Sequence, residues 1–131
     1  MIKDELEVLS DNELNKRVAI DVMGMRPCGE WRSGPMWNSY TKSDKCTHEC
    51  YPMGSPPNYC NNMIAAMQVI VRLQLLDPMA IIRISNGDSD SMDIDILAHE
   101  YISSVQYTIE EGTFADAPRA ISIASILSVS N

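Results

Sequence analysis

One short segment, residues 91–97, limits the fold of this chain more than any other feature. Its apolar residues Met92, Ile94 and Ile96 alternate with aspartates. Because successive side chains of a strand point to opposite faces, this alternation predicts a strand in a sheet with one dry face and one wet face. A dry face needs helices to cover it, so the chain is expected to combine a sheet with helices.

The segments on either side supply the other strands of this sheet. Alternating apolar residues predict one strand over residues 79–85 and another over 102–110. The Asn-Gly-Asp turn at 86–88 connects the first strand to the second. Consecutive strands with short connections pair in antiparallel order, so the three strands are expected to form a meander.

The first helix is marked by its capping residues. Ser10 and Glu13 form a capping box at the start of a helix predicted over residues 11–23. A short helical arm within residues 1–9 is expected to precede it. Gly24 lies where a left-handed residue would end this helix.

Two further helices are predicted. The second, over residues 61–76, has apolar residues around most of its circumference, which predicts the central, buried helix of the fold. A last helix begins after Asp116 and runs to about Val129. The apolar residues of the second helix are Met63, Ile64, Met67, Ile70, Val71 and Leu75.

Together these elements predict a single α+β domain over residues 1–131. Their order is a helix, a long loop, a helix, a three-stranded antiparallel meander and a C-terminal helix. An apolar content of 45% suffices for one hydrophobic core at this length. The chain lacks any apolar run of about eighteen residues, and its acidic start lacks the apolar core of a signal peptide. We therefore expect a cytoplasmic protein without a membrane span.

The long loop, residues 25–58, is the part most expected to carry function. It contains five prolines and three glycines and shows neither helical nor strand periodicity. Loops of this length in a compact domain are usually functional or disordered. Disordered tracts are poor in aromatic residues, whereas residues 26–60 contain both tryptophans and three of the five tyrosines. An ordered, functional loop is therefore expected.

The same region differs in charge from the rest of the chain. With four basic and three acidic residues, residues 26–60 carry a net charge of +1, whereas the whole chain carries −8. An acidic body repels phosphate backbones, which argues against general nucleic-acid binding. A small anionic nucleotide remains a possible ligand, because close contacts outweigh a field that salt screens beyond about 10 Å.

A nucleotide site in this region would use two kinds of contact. Aromatic rings would stack on the base, and cationic side chains would donate hydrogen bonds to the phosphates. Amides at the start of the second helix would add to this site beside the positive end of the helix dipole. The predicted ligand-binding residues are Arg26, Trp31, Arg32, Trp37, Tyr40, Lys42, Tyr59, Asn61 and Asn62. The alternative is that the aromatic residues pack the loop onto the fold and close a homo-oligomer.

Cysteines in the same region allow a zinc site. The candidate ligands are Cys28, Cys46, His48, Cys50 and Cys60. Their spacing matches no standard zinc module, so unligated thiols are the preferred interpretation and no cofactor is expected. Disulfides are disfavoured in a reducing cytoplasm.

Other kinds of site are not favoured by the sequence. It contains no nucleophile signature, Walker loop, G-x-G-x-x-G or H-E-x-x-H motif, so no enzymatic activity is expected. His99 is expected in an exposed turn. The acidic run from Asp88 to Asp95 lacks the glycine and the final acid of an EF-hand loop, and it is interpreted as solvated surface.

Three segments of the chain carry a family resemblance. They are ELNKRVAIDVMGM (13–25), PNYCNNMIAAMQVIVRL (57–73) and FADAPRAISIASILSV (114–129). In this order they resemble the phage α/β/α (ABA) sandwich domain, a family of small proteins of bacteriophages and prophages. Met25 stands where that family commonly has tryptophan, and Cys60 where it has a serine cap. The resemblance implies a phage protein in the cytoplasm of an infected bacterium, with no settled biochemical activity.

The loop and the resemblance together give a functional prediction. We expect a non-enzymatic phage protein that binds and sequesters a small nucleotide-type ligand, such as a host antiphage-defence signal, as a homo-oligomer. The defence role follows by analogy with other small phage proteins. Two alternatives stay open. One is a protein-interaction module that inhibits a host protein through the loop or the acidic run, and the other is a zinc-stabilised structural domain.

Overall fold

The structure, a computed structural model, describes the chain in five segments, residues 2–31, 34–38, 56–86, 91–110 and 114–130. For residues 26–31, 34–38 and 114 it describes the backbone alone. Within these segments no helix is both long and apolar enough to cross a lipid bilayer.

The elements follow the predicted order, and the fold is of the α+β class. The helices are α1 (Ile2–Glu7), α2 (Asp11–Arg17), α3 (Met63–Leu76) and α4 (Ala117–Val129). The strands are β1 (Arg26–Trp31), β2 (Gly34–Asn38), β3 (Ile81–Asn86), β4 (Met92–Leu97) and β5 (Val105–Ile109).

The helix predicted over residues 11–23 begins and ends where the sequence indicates. Ser10 Oγ accepts the backbone N–H of Glu13 at 3.2 Å, so the predicted N-cap is confirmed. The α-helix then widens into a π-helix over Val18–Val22. Gly24 follows with a φ of 68°, the left-handed conformation that only glycine adopts without steric cost.

The three-stranded sheet is the predicted antiparallel meander. Its strand order is β3-β4-β5, so β4 lies in the middle. Ile94 at the centre of β4 lies opposite Ile84 of β3 and Tyr107 of β5. The three alternating apolar residues of β4 are buried, whereas the aspartates between them are half-exposed. The predicted dry and wet faces are therefore confirmed.

The central helix of the fold is α4. It packs on β4 and β5 on one side and contacts α1, α2, the π-helix and α3 on the others. Ten of its thirteen residues are buried. Small residues allow this close approach, and the buried hydroxyls of Ser122 and Ser125 are satisfied within the helix by the carbonyl oxygens of Pro118 and Ser122 at 2.9 and 2.8 Å.

The helix predicted over residues 61–76, which is α3, was expected to be the central, buried helix. That prediction was wrong. Helix α3 buries one narrow stripe of four residues, Ala65, Ala66, Val69 and Leu73, largely against α4. Met63 and Ile70 are partly buried against the core, whereas four other large apolar side chains are exposed: Ile64, Met67, Val71 and Leu75. Apolar residues around a whole helix usually indicate burial, but here two differently oriented apolar stripes produce the same pattern.

Part of the long loop forms a β-hairpin instead of irregular structure. Strands β1 and β2 pair antiparallel, with a bulge between Pro27 and Gly29. The sequence shows no strand periodicity here because proline and glycine occupy positions where alternation would otherwise be visible. This two-stranded sheet is separate from the β3-β4-β5 sheet.

Candidate functional site

The predicted nucleotide contacts divide between the hairpin and residues that the structure does not describe. In the backbone register of the hairpin, Trp31 lies opposite Gly34, and Trp37 lies opposite Pro27. Gly34 and Trp37 are three residues apart along β2. The backbones of Trp31 and Trp37 therefore lie about 10 Å apart along the hairpin. Arg26 neighbours the Trp37 level. The remaining predicted contacts in the loop, Arg32, Tyr40 and Lys42, lie outside the described residues.

Tyr59 lies in the hydrophobic core. Its side chain is almost fully buried, and its hydroxyl donates to Met25 Sδ at 3.4 Å. Burial raises the pKa of this phenol to about 12. A ring packed in this way offers no open face to a ligand, so its position does not support the predicted stacking role. The sulfur contact also gives Met25, the residue that departs from the family pattern, a packing role.

The two asparagines before α3 are engaged within the protein. Asn62 is the N-cap of α3, and its Oδ1 accepts the backbone N–H groups of Ile64 and Ala65 at 2.9 and 3.2 Å. Asn61 Nδ2 donates to Asp11 Oδ2 at 2.7 Å. Because the helix already holds its own acceptor, the amides at this helix start are not free for a phosphate. The N-cap of α3 is therefore Asn62 and not Cys60, the position of the serine cap in the family that the sequence resembles.

A buried asparagine that the sequence analysis did not single out organises the same junction. Asn15 of α2 accepts the backbone N–H of Cys60 at 2.9 Å through its Oδ1. Its Nδ2 donates to Asn58 Oδ1 at 3.1 Å. A buried amide with both ends bonded fixes the chain that enters α3 against α2. The sequence gives no signal for it, because the partners lie more than forty residues away.

Of the five candidate zinc ligands, Cys60 is the one whose side chain the structure describes. It is a free, buried thiol, and burial raises its pKa to about 11. Zinc binds the thiolate, so this environment disfavours metal at Cys60. Cys46, His48 and Cys50 lie outside the described residues, as does the side chain of Cys28. Among the described side chains, no group of three histidines, cysteines or acids could hold a metal ion.

A cavity of about 190 Å³ lies between α1, β5 and the start of α4. Its polar lining comes from Glu7, Tyr107, Asp116 and Arg119. Burial and the neighbouring carboxylate of Glu7 raise the pKa of Tyr107. A nucleotide needs a larger site, since ligand pockets typically measure about 300–1,000 Å³. Two acids in the lining also disfavour an anion.

The arginine of this cavity is already committed to the fold. Arg119 Nη1 donates to Asp11 Oδ1 at 2.6 Å, and Nη2 donates to the carbonyl oxygens of Leu9 and Glu7 at 2.8 and 3.2 Å. Hydrogen bonds from Asn61 and Arg119 hold the pKa of Asp11 below its usual value, although burial acts in the opposite direction. Arg119 therefore joins α4 to the connection between α1 and α2, which is a structural role.

Asp77 is the most engaged acid of the described chain. It directly follows α3 and is fully buried. Its Oδ2 accepts three consecutive backbone N–H groups, from His99, Glu100 and Tyr101, at 2.9, 3.0 and 3.3 Å. Burial alone would raise the pKa of Asp77, but these backbone donors outweigh it and lower the pKa. Asp77 thus anchors the β4–β5 connection to the end of α3, and His99 is exposed there as predicted.

The acidic run is only partly described. Asp88 and Asp90 lie outside the described residues. Asp93 and Asp95 lie on the wet face of β4, where Asp93 Oδ1 accepts the hydroxyl of Thr108 at 2.7 Å and Asp95 lies opposite Arg83 of β3. Because these aspartates lie beside a hydroxyl and a basic residue, they agree better with a solvated sheet face than with a concentrated acidic surface that would bind a host protein.

The most unusual surface of the described chain lies on α3. Ile64, Met67, Val71 and Leu75 form a stripe at helical spacing, and their side chains are 76%, 48%, 55% and 69% exposed. We call these four residues the α3 face. Met79 and Ile81, just beyond the helix, are also mostly exposed. Soluble monomers rarely expose contiguous apolar side chains of this size, and such patches mark interaction sites.

No protein-family model, curated protein or solved structure matches this chain. The resemblance to the phage ABA sandwich family stays a prediction.

Proposed function

We propose that this chain is a non-enzymatic protein-interaction module and that the α3 face is its binding surface. The observation that carries this proposal is a stripe of four exposed aliphatic side chains with no charged residue among them. Surface helices normally place polar residues on the solvent side. Helix α3 has only two glutamines and one arginine among its fourteen residues.

The energetics of this surface favour a partner. Fully burying one aliphatic side chain is worth about 1.5–3 kcal/mol. At the observed exposures, covering the four side chains of the α3 face would gain on the order of 5 kcal/mol before any contribution from the partner. An apolar helix surface of this kind suits a groove or another helix of a protein partner.

The reactive side chains of the described segments support binding over catalysis. The Cys60 thiol is buried with a raised pKa, Arg119 is held by a carboxylate and two carbonyl oxygens, and Asp77 is held by backbone donors. Cys60 would have to be exposed, and Arg119 and Asp77 would have to give up their structural partners, before these groups could react. If the resemblance to phage ABA sandwich proteins is correct, the partner would be met in an infected bacterium.

Photo-crosslinking at the α3 face tests the proposal. A benzophenone amino acid at position 75, at the C-terminal end of the α3 face, is expected to give a protein adduct of defined mass in cells. The same amino acid at position 8 is the matched control, because Val8 is 83% exposed and belongs to the α1–α2 connection instead of the α3 face. Val71→Asp should abolish the adduct at position 75, because it puts a charge where the partner must bury an apolar side chain.

The pattern of adducts decides the outcome. Crosslinking at position 75 that is no stronger than at position 8, or that survives Val71→Asp, would contradict the proposal. The mass of the adduct also distinguishes a second copy of this chain from a different protein.

Sequestration of a nucleotide-type ligand, such as a host defence signal, is a second proposal. It is favoured by the net charge of +1 and the two tryptophans in residues 26–60, and by the β-hairpin that brings the Arg26 and Trp37 positions to one end. Since Tyr59, Asn61 and Asn62 are engaged elsewhere, the site would be built on the hairpin region.

Thermal melting tests this second proposal. At a concentration about 100 times its Kd, a ligand stabilises the folded state by about 2.7 kcal/mol, which is several degrees for a domain of this size. ATP and a cyclic dinucleotide are suitable probes, and the variant Arg26→Ala/Trp37→Ala should remove any shift. Equal shifts in the wild type and this variant would exclude the hairpin as the site.

A further inference from the structure

We infer that the partner of the α3 face is a second copy of this chain, with the two α3 helices packed antiparallel about a two-fold axis near the middle of the helix. This inference rests on the proposed interaction function and specifies its partner. It follows from the spacing of the apolar residues, from the charge of α3 and from the charge of the whole chain.

The α3 face nearly matches itself when it is reversed. Its residues recur at intervals of three, four and four, centred between Val69 and Ile70. In an antiparallel pair about this centre, Ile64 lies opposite the partner subunit's Leu75, and Met67 lies within one residue, about 1.5 Å, of the level of the partner subunit's Val71. This spacing is the one that lets side chains of two helices interdigitate. A two-fold axis repeats each contact, so all four residues of both copies are covered.

The charge of α3 permits this approach. Two copies of a chain with a net charge of −8 repel each other unless they meet through a surface without acids. Helix α3 has no acidic residue, and its single charged residue is Arg72. Arg72 is partly buried, and its Nε donates to the carbonyl oxygen of Val22 at 3.1 Å.

The helix dipoles favour the antiparallel arrangement over the parallel one. In an antiparallel pair the positive N-terminal end of each α3 lies beside the negative C-terminal end of its partner, whereas a parallel pair sets like ends side by side.

Charge also favours a second copy over a different partner. A basic protein would gain more from the acidic surfaces of this chain than from its uncharged helix, because opposite charges steer association. A neutral apolar stripe gains most from a partner that buries it with another neutral apolar stripe, and a second copy of this chain carries such a stripe.

Sedimentation equilibrium over a wide range of concentrations tests the inference. The wild-type chain is expected to dimerise, and Val71→Asp to raise the dimer Kd about 100-fold or more, because the axis places the buried charge in the interface twice. Leu75→Ser should weaken the dimer less. Val8→Asp, the matched control, should leave the Kd unchanged because Val8 is an exposed residue of the α1–α2 connection and not of the α3 face. Circular dichroism confirms that each variant is folded.

A charge-reversal pair tests the register. Val71→Glu alone should weaken the dimer, whereas Met67→Lys combined with Val71→Glu should restore much of it at low salt, since each lysine then faces a glutamate of the partner. Parallel helices would set like charges against each other, and the double variant would dimerise no better than the single one.

Three results would overturn the inference. A wild-type chain that stays monomeric at all concentrations excludes a second copy, whatever else covers the face. A dimer that is insensitive to Val71→Asp excludes the α3 face. A monomer that still gives the crosslinked adduct at position 75 shows a different protein partner, so the interaction function would stand while the second copy would not.

Discussion

Replacement of Asp77 by alanine is expected to lower the melting temperature on the order of 10 °C. The reason is that one carboxylate oxygen accepts the backbone N–H groups of His99, Glu100 and Tyr101. Without it, three hydrogen bonds are lost at a partly buried position, and each normally contributes about 0.5–1.5 kcal/mol or more when its acceptor is charged. The connection between β4 and β5 would then detach from the end of α3. Differential scanning calorimetry measures the change.

Two variants control this prediction. Asp77→Asn keeps an acceptor oxygen and should lose less stability than alanine. Asp93→Ala removes an acid that accepts one side-chain hydroxyl on the wet face of the sheet, and it should change the melting temperature only slightly. A loss for Asp93→Ala equal to that for Asp77→Ala would show that the three backbone hydrogen bonds are not what makes Asp77 important.

The pH dependence follows from the lowered pKa of Asp77. A carboxyl whose pKa is lower in the folded state than in the unfolded state stabilises the fold above the unfolded value of about 4. That contribution is lost as the pH falls through the lower, folded value. The stability difference between the wild type and Asp77→Asn should therefore be constant near neutral pH and shrink below about pH 4. A difference that grows on acidification would contradict the assigned charge state.

Local patterns explain why the main architecture could be predicted from the sequence. The alternation in β4 gave the sheet and its two faces, and Ser10 and Gly24 gave the two ends of the first helix. In each case the signal and its structural consequence lie within a few residues of one another. Such short-range signals do not depend on the rest of the fold.

The long-range features could not be predicted in the same way. Asp77 bonds to residues 22–24 positions away, and Asn15 bonds to residues more than forty positions away. Neither residue belongs to a motif, and a single acid before a proline predicts only the end of a helix. The structure does not support the predicted ligand contacts at Tyr59 and Asn62, for a related reason. Composition shows that aromatic rings and amides are present but not that the core or a helix cap already uses them.

The choice of the central helix failed because apolar content was treated as burial. Large aliphatic residues occur both in a core and on an exposed apolar face, so their number in a helix does not show that the helix is buried. The better signal was residue size, since α4 has small residues such as Ala120, Ala124 and Ser125 at buried positions, which let a sheet and other helices approach it from several sides. Helix α3 buries a stripe that includes two alanines and carries large apolar residues on its exposed stripe, which the described part of the chain leaves uncovered.

Truncation of one isoleucine in each helix tests whether α4 or α3 is the central helix of the fold. Ile126→Ala in α4 is expected to lower the free energy of unfolding by about 2–5 kcal/mol, because its side chain is fully buried between the sheet and the other helices and its loss leaves a cavity. Ile64→Ala in α3 makes the same chemical change at an exposed site and should cost less than about 0.5 kcal/mol in the monomer. Urea denaturation at low protein concentration measures both.

The stability losses of the two variants should depend differently on protein concentration. If the α3 face binds a second copy, the effect of Ile64→Ala should grow as the protein concentration rises and the dimer forms, whereas the effect of Ile126→Ala should include a large loss that is present at every concentration. Equal losses for both variants at low concentration would mean that α3 is as central as its composition first indicated. A small loss for Ile126→Ala would mean that α4 does not form the core of this fold.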